Sequence, residues 1–167
     1  MKIYLRIALV LFTVCASPAD DFQGGSEHQT LYVDSQGAEP NVWDADLLGT
    51  SEYPVRQIQD ALDFAGDGTT IIVRPGDYKG PIDFLGKAIS LMGYDPCEAH
   101  GCTTAGYPVI HGRDSEAAVH FVTGEDPNTL LTGFVIVGGR DVSVGAIDCQ
   151  NSSPVVSHCL IVGTQGN

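Results

Sequence analysis

The chain has 167 residues, 43 % hydrophobic and 17 % charged, which places it among folded proteins with one sizeable core and excludes a disordered chain. Eight basic residues against 21 acidic ones give a net charge of −13, which argues against nucleic acid and anionic membrane surfaces as partners, because both need a positive patch. Neutral glycans, cationic partners and divalent metals stay open, and an acidic surface also keeps an extracellular protein soluble.

Lys2 and Arg6 precede a short apolar run from Ile7 to Val14, and Val14-Cys15-Ala16 puts small residues where a signal peptidase reads. Residues 1–16 are therefore expected to be a signal peptide, and the protein to be secreted, periplasmic or at the cell surface. The apolar run is much shorter than the roughly 20 residues of a bilayer span, so no membrane span is expected in the mature chain. A lipoprotein anchor on Cys15 is the weaker alternative, because Val14 stands where a small residue usually precedes the cysteine. Cleavage after Ala16 removes two basic residues and takes the charge to about −15 (−13 − 2).

Residues 17–52 read as a polar, glycine-rich segment holding one predicted strand, "TLYVD" from Thr30 to Asp34. Trp43 in this segment suits a role in covering the first coil. Asp44 and Asp46 lie nearby without the full spaced ligand set of a calcium loop. From residue 53 the pattern changes. Val55, Ile58, Leu62 and Ala65 recur at spacings of 3, 4 and 3 and predict one helix, closed by Gly66-Asp67-Gly68.

Every later segment reads as short strands and tight turns: "TTIIVRPGDY", "GPIDFLG", "KAISLMGYD", "YPVIHGRD", "AAVHFV", "TLLTGFVIVGG", "GAIDCQN" and "PVVSHCLIVGT". No helical spacers separate them, which excludes an ordinary βαβ sheet. Leu131/Val156, Phe134/Cys159, Ile136/Ile161 and Gly138/Gly163 repeat at a separation of 25 residues (156 − 131), the mark of a solenoid. A coil of that length with three short strands predicts an all-β parallel β-helix over residues 53–167 with one N-terminal capping helix. Each coil must then present the same apolar columns to the coil below.

A second column follows from the same alignment. Ile82-Asp83-Phe84, Val119-His120-Phe121 and Ile147-Asp148-Cys149 fall as the first strand of three successive coils, with "DPCEAHGCTTAG" looped out of the first interval. Strand alternation sends the flanking apolar residues inward and Asp83, His120 and Asp148 outward in one stack.

The cysteines divide into two pairs. Cys97 and Cys102 close a compact loop suited to a disulfide in an oxidising compartment, and the rival reading is a metal site with His100 between the thiols. Cys149 and Cys159 occupy apolar slots and read as small buried hydrophobes. Phe84, Phe121 and Phe134 read as core, whereas Tyr78, Tyr94 and Tyr107 are the exposed aromatic candidates. His111 reads as a solvated turn residue that could pair with Asp114. Asn151-Ser152-Ser153 has the form of a glycosylation acceptor.

The run "IQDALDFAGDGTTIIVRPGDYKGPIDFLGKAISLMGYDP", with "PVIHG", "TLLTGFVIVGG" and "SSPVVSHCLIVG", resembles the amino-terminal part of the right-handed parallel β-helix proteins of the pectate-lyase-like superfamily, especially large secreted bacterial repeat proteins. "VRPGDY" also resembles the opening of pectin methylesterases. The resemblance spans about Val55 to Asn167 and implies a right-handed coil, a capping helix and a first-strand face that forms the polysaccharide groove in many relatives. Where relatives stack asparagines between second and third strands, this chain has Gly133 and His158. Neither the lyases' acidic calcium cluster with its arginine nor the methylesterases' aspartate pair is found.

The expected function is to bind or present a surface to extracellular polysaccharide or a cell-surface protein, without a complete catalytic site. The alternative is a polysaccharide lyase, glycoside hydrolase or pectin-esterase-like enzyme using Asp83, His120 and Asp148 for acid/base work or for holding Ca2+. Outward polar residues on a strand are also simply solvated in many proteins. "CLIVGTQGN" stops where another coil would begin, so the domain is expected to be truncated at its C-terminal end or to stack there on further coils or a partner.

Overall fold

The computed structural model describes residues 29–37, 48–93, 106–113, 115–139 and 145–163. Residues 1–16, expected to be a signal peptide, and Trp43, Asp44, Asp46, Tyr94, Cys97, His100, Cys102 and Asp114 lie outside the described residues. The chain order is β1 (Thr30–Val33), α1 (Ile58–Phe64), β2 (Thr70–Val73), β3 (Asp77–Lys79), β4 (Ile82–Asp83), β5 (Ser90–Gly93), β6 (Val109–His111) and β7 (Val119–Phe121). Then come β8 (Leu130–Thr132), β9 (Val135–Val137), β10 (Ile147–Cys149), β11 (Val155–Ser157) and β12 (Leu160–Val162). Strands dominate, α1 is the one α-helix among the described residues, and every strand pairing is parallel.

The strands form three sheets, ordered β1-β2-β5-β8-β11, β10-β7-β4 and β12-β9-β6-β3. After β2 and β3, each pass of the chain gives one strand to each sheet, an arrangement compatible with a β-helix-like solenoid. The register matches the repeat in the sequence, with Val156 opposite Leu131 and Ile161 opposite Ile136. Inward side chains stack in columns: Leu31, Ile71, Leu91 and Leu131 in the five-stranded sheet, and Tyr78, Ile110 and Ile136 in the four-stranded one. In the three-stranded sheet Ile82 lies over Val119, and the Phe84 and Phe121 rings meet with centroids 4.7 Å apart. Phe84, Phe121 and Phe134 are core residues, as their pattern predicts. Val156 and Ile161 continue two columns but keep 39 % and 54 % of their surface, since no strand lies beyond β11 or β12 among the described residues.

The helix starts later than its periodicity predicts. Val55 is buried but extended: its N–H donates to the Tyr32 carbonyl and its own carbonyl accepts from Asp34 N–H, so pairing with β1 claims the residue before a helix can. Ile58, Ala61 and Leu62 then give α1 its buried face. Lys87 Nζ donates to the Leu62 and Asp63 carbonyls at 2.7 and 3.1 Å, meeting the acceptors that the last helical turn leaves open.

Two turns carry the coil-to-coil register. Gly133 (φ 79°) and His158 (φ 50°) take the left-handed conformation at the corner between β8 and β9 and between β11 and β12, so the positions that lack asparagine share one turn geometry. Gly93, at the end of β5, lies against this corner, and a Cβ there would run into the Gly133 carbonyl.

The second turn is held by Glu125, 1 % exposed. Its Oε1 accepts from Gly86 N–H at 3.0 Å, and its Oε2 accepts from Thr123 N–H at 3.1 Å and the Ser152 hydroxyl at 2.8 Å. One carboxylate thus ties together residues from three successive passes. Burial pushes its carboxyl up, but the bonds from Ser152, its own main chain, Gly86 and Thr123 outweigh burial and hold it below the ordinary value.

Three expectations from the sequence are corrected. Tyr78 is buried, because it alternates inward between exposed Asp77 and Lys79; its hydroxyl donates to the Arg74 carbonyl at 2.8 Å and accepts from Ser35 N–H at 3.2 Å. Burial pushes that phenol up. Cys149 is exposed, because β10 is the edge of its sheet, whereas Cys159 is half-buried against the core and burial pushes its thiol up. His111 lies in β6, and its Nε2 meets Asp77 Oδ1 at 2.8 Å.

Gly93→Ala is expected to lower unfolding stability by about 1–3 kcal/mol in urea titrations, against less than about 0.5 kcal/mol for Ser90→Ala at the other end of β5. Glu125→Gln is expected to cost about 1–3 kcal/mol at neutral pH. Since the folded carboxyl sits below 4.5, its contribution is complete above that pH and fades as pH falls through the folded value. The gap between wild type and Glu125→Gln in thermal midpoint should therefore narrow on acidification below about 4.5, and a gap independent of pH would contradict this role.

Candidate functional site

Parallel register brings the three outward residues together as the alignment predicts. Asp83 lies opposite His120, and Asp148 lies opposite His120 on the other side, so the three occupy successive strands of the three-stranded sheet. All three are partly exposed. Neighbouring parallel strands are about 4.8 Å apart, which spaces the side chains for contact but leaves each rotamer to decide whether contact is made.

The rotamers divide the column. His120 Nδ1 approaches Asp148 Oδ2 to 3.7 Å, within ion-pair range and longer than a hydrogen bond. Asp148 also accepts from the Gln150 amide at 3.0 and 3.2 Å, which steadies the carboxylate beside the imidazole. Asp83 turns elsewhere: its Oδ1 accepts from Leu85 N–H at 2.8 Å in a local turn where Leu85 has φ 58°. The column therefore brings His120 and Asp148 together, while Asp83 is turned to the corner after β4.

Over this pair lies a depression of about 320 Å³, lined by Ser115, Glu116, Ala117, His120, Ile147 and Asp148. Ser115 and Glu116 come from the turn that leads into β7. The sequence offered one cue for them, a polar "SE" directly before an apolar strand, but only the corner geometry swings that turn over the sheet. A hydroxyl, two carboxylates and an imidazole beside the aliphatic surface of Ala117 and Ile147 make a set that can accept from and donate to several hydroxyl groups at once. No group of three or more His, Cys, Asp or Glu is placed to hold a metal ion among the described residues.

Other candidates do not join this site. His111 lies on the four-stranded sheet with Asp77, and Tyr107, exposed as expected, precedes β6. The disulfide or metal site expected at Cys97 and Cys102 falls outside the described residues, and no described helix is long and apolar enough to cross a membrane. No protein-family model, curated protein or solved structure matches this chain.

Proposed function

We propose that the chain is a right-handed parallel β-helix exported from the cytoplasm, which lays the outer face of its three-stranded sheet along an extracellular polysaccharide. The observation that carries this reading is the depression over His120 and Asp148, which stand on hydrogen-bonded strands, with Ser115 and Glu116 added from the turn before β7. Its volume lies at the low end of the range for ligand pockets, about 300–1,000 Å³, a size suited to one or two sugar units of a longer chain. Strand-borne groups lose little freedom on binding, so a modest number of hydrogen bonds suffices.

The charge narrows the ligand. Glu116 and Asp148 both line the depression and would repel a polyanionic glycan, so the polysaccharide is neutral. The resemblance to the pectate-lyase-like superfamily supports the coil and the export, and the local carboxylates argue for a different kind of sugar.

A second reading is favoured by the 3.7 Å approach of His120 to Asp148. In a polysaccharide-active enzyme His120, set beside Asp148, would pass a proton to or from the glycan. The other carboxylate of the column, Asp83, is engaged by Leu85 N–H, so the second acid group that glycoside hydrolysis calls for would have to be Glu116 in the lining of the depression.

Glycan-array binding and lyase and hydrolase assays on the wild type beside His120→Ala, Asp148→Asn and Asp83→Asn separate the readings. Retention of a neutral glycan that weakens about tenfold or more in His120→Ala and Asp148→Asn, and stays nearly unchanged in Asp83→Asn, is the expected result. Product formation lost with His120→Ala would move the assignment to the enzyme. Equal retention by all four proteins would remove this face from glycan binding.

A further inference from the structure

We infer that the outer edge of β3 is a docking site for an extended, acidic peptide segment of a partner protein. This surface belongs to the four-stranded sheet and is independent of the glycan reading. At the end of the stack near the N-terminus, each sheet presents one edge strand: β1, β3 and β4. An uncovered edge leaves a row of unpaired main-chain donors and acceptors, which folded proteins normally cover or disguise.

Two of the three edges are covered. On β1, Tyr32 N–H donates to the Gly49 carbonyl at 2.8 Å, and Val55 N–H donates to the Tyr32 carbonyl at 2.9 Å. On β4, the Gln59 amide imitates a neighbouring strand: its Oε1 accepts from Asp83 N–H at 2.8 Å and its Nε2 donates to the Asp83 carbonyl at 3.2 Å.

Edge β3 differs. Val109 N–H donates to the Gly76 carbonyl at 2.8 Å and Gly80 N–H donates to the His111 carbonyl at 2.7 Å, which fixes the side of β3 that faces β6. Alternation along the strand then turns the N–H and C=O of Asp77 and Lys79 to the opposite side. Among the described residues no partner is found for these four groups. Asp77 and Lys79 stand two residues apart, so they repeat a donor and an acceptor at about 6.6 Å, the spacing another extended main chain offers and a sugar or a small anion does not.

The flanking charge sets the chemistry of that strand. A depression of about 350 Å³ beside the edge is lined by Gln36, Arg56, Gln57, Asp77 and Lys79, among others. In a chain of net charge −13, Arg74 is drawn to Asp34 at 3.1 Å and Lys87 to the end of α1, and Lys79 brings its positive charge to this depression, where Arg56 also lies. Arg56 Nε donates to the Gly37 carbonyl at 2.7 Å, which sets the guanidinium at the rim. His111 engages Asp77 at 2.8 Å, so the acidic member of the lining is already held from the far side. Pro75 before the strand and Lys79 on it discourage indiscriminate strand pairing, and a carboxylate-bearing strand turns that deterrent into attraction.

The test uses the whole chain and a capped peptide of alternating glutamate and threonine, followed by amide NMR and hydrogen exchange. The expected result is that the Asp77 and Lys79 amides shift and gain protection on titration, that Lys79→Glu weakens binding roughly tenfold with an unchanged thermal midpoint, and that a lysine–threonine peptide does not bind. A peptide methylated on alternate main-chain nitrogens should lose binding while keeping every charge. The inference is overturned if neither peptide binds, or if the methylated peptide or free glutamate at equal carboxylate concentration binds as well. It is also overturned if the Asp77 and Lys79 amides are protected without peptide in a manner that grows with protein concentration, which would give the edge to a second copy of the chain.

Discussion

Hydrogen bonding between successive passes of one chain is the constraint on which everything else here depends. Each strand is only two to four residues long and could not persist alone; it is held because the strands beside it in the sheet repeat its register. Parallel register then forces inward side chains to stack on like side chains, so Leu91 must meet Leu131 and Ile110 must meet Ile136. A core built this way tolerates little change of size in any column. The same rule controls the corners: the close approach of Gly93 to the Gly133 carbonyl leaves no room for a side chain.

A stack of coils meets two difficulties, polar groups at its corners and unpaired edges at its ends. Glu125 answers the first by gathering Gly86, Thr123 and Ser152 from three passes onto one buried carboxylate. Three donors converging from the corners between strands offset the cost of burying this charge. The end near α1 answers the second with three different devices: main-chain pairing for β1, a side-chain amide for β4, and a short charged strand for β3. The helix belongs to this solution, since it supplies Gln59 and covers the first coil with Ile58, Ala61 and Leu62.

Rigidity of this kind is well suited to recognition. Backbone geometry fixes where side chains leave a hydrogen-bonded sheet, so His120 and Asp148 start from adjacent positions without help from a ligand. The proposed glycan face uses side chains and the proposed peptide edge uses main chain, and both exist because each pass of the coil exposes one outward position and, at the end of the stack, one unpaired side.

The sequence by itself determined the repeat, the strand registers and the membership of the Asp83, His120 and Asp148 column, because all three follow from periodicity, which adjacent residues write directly into the chain. It also placed the aromatic core at Phe84, Phe121 and Phe134. Only the tertiary structure decided the rest. Tyr78, expected to be exposed, alternates inward between Asp77 and Lys79 in β3, and pairing with β1 removed Val55 from the helix. Whether an outward carboxylate faces its neighbour or its own turn is a rotamer choice, so Asp83 turned away from His120 while Asp148 stayed beside it. Glu125, the turn carrying Ser115 and Glu116, and the outer edge of β3 depend on residues that meet only when successive passes stack, and distances of that kind leave no local pattern in the order of the amino acids.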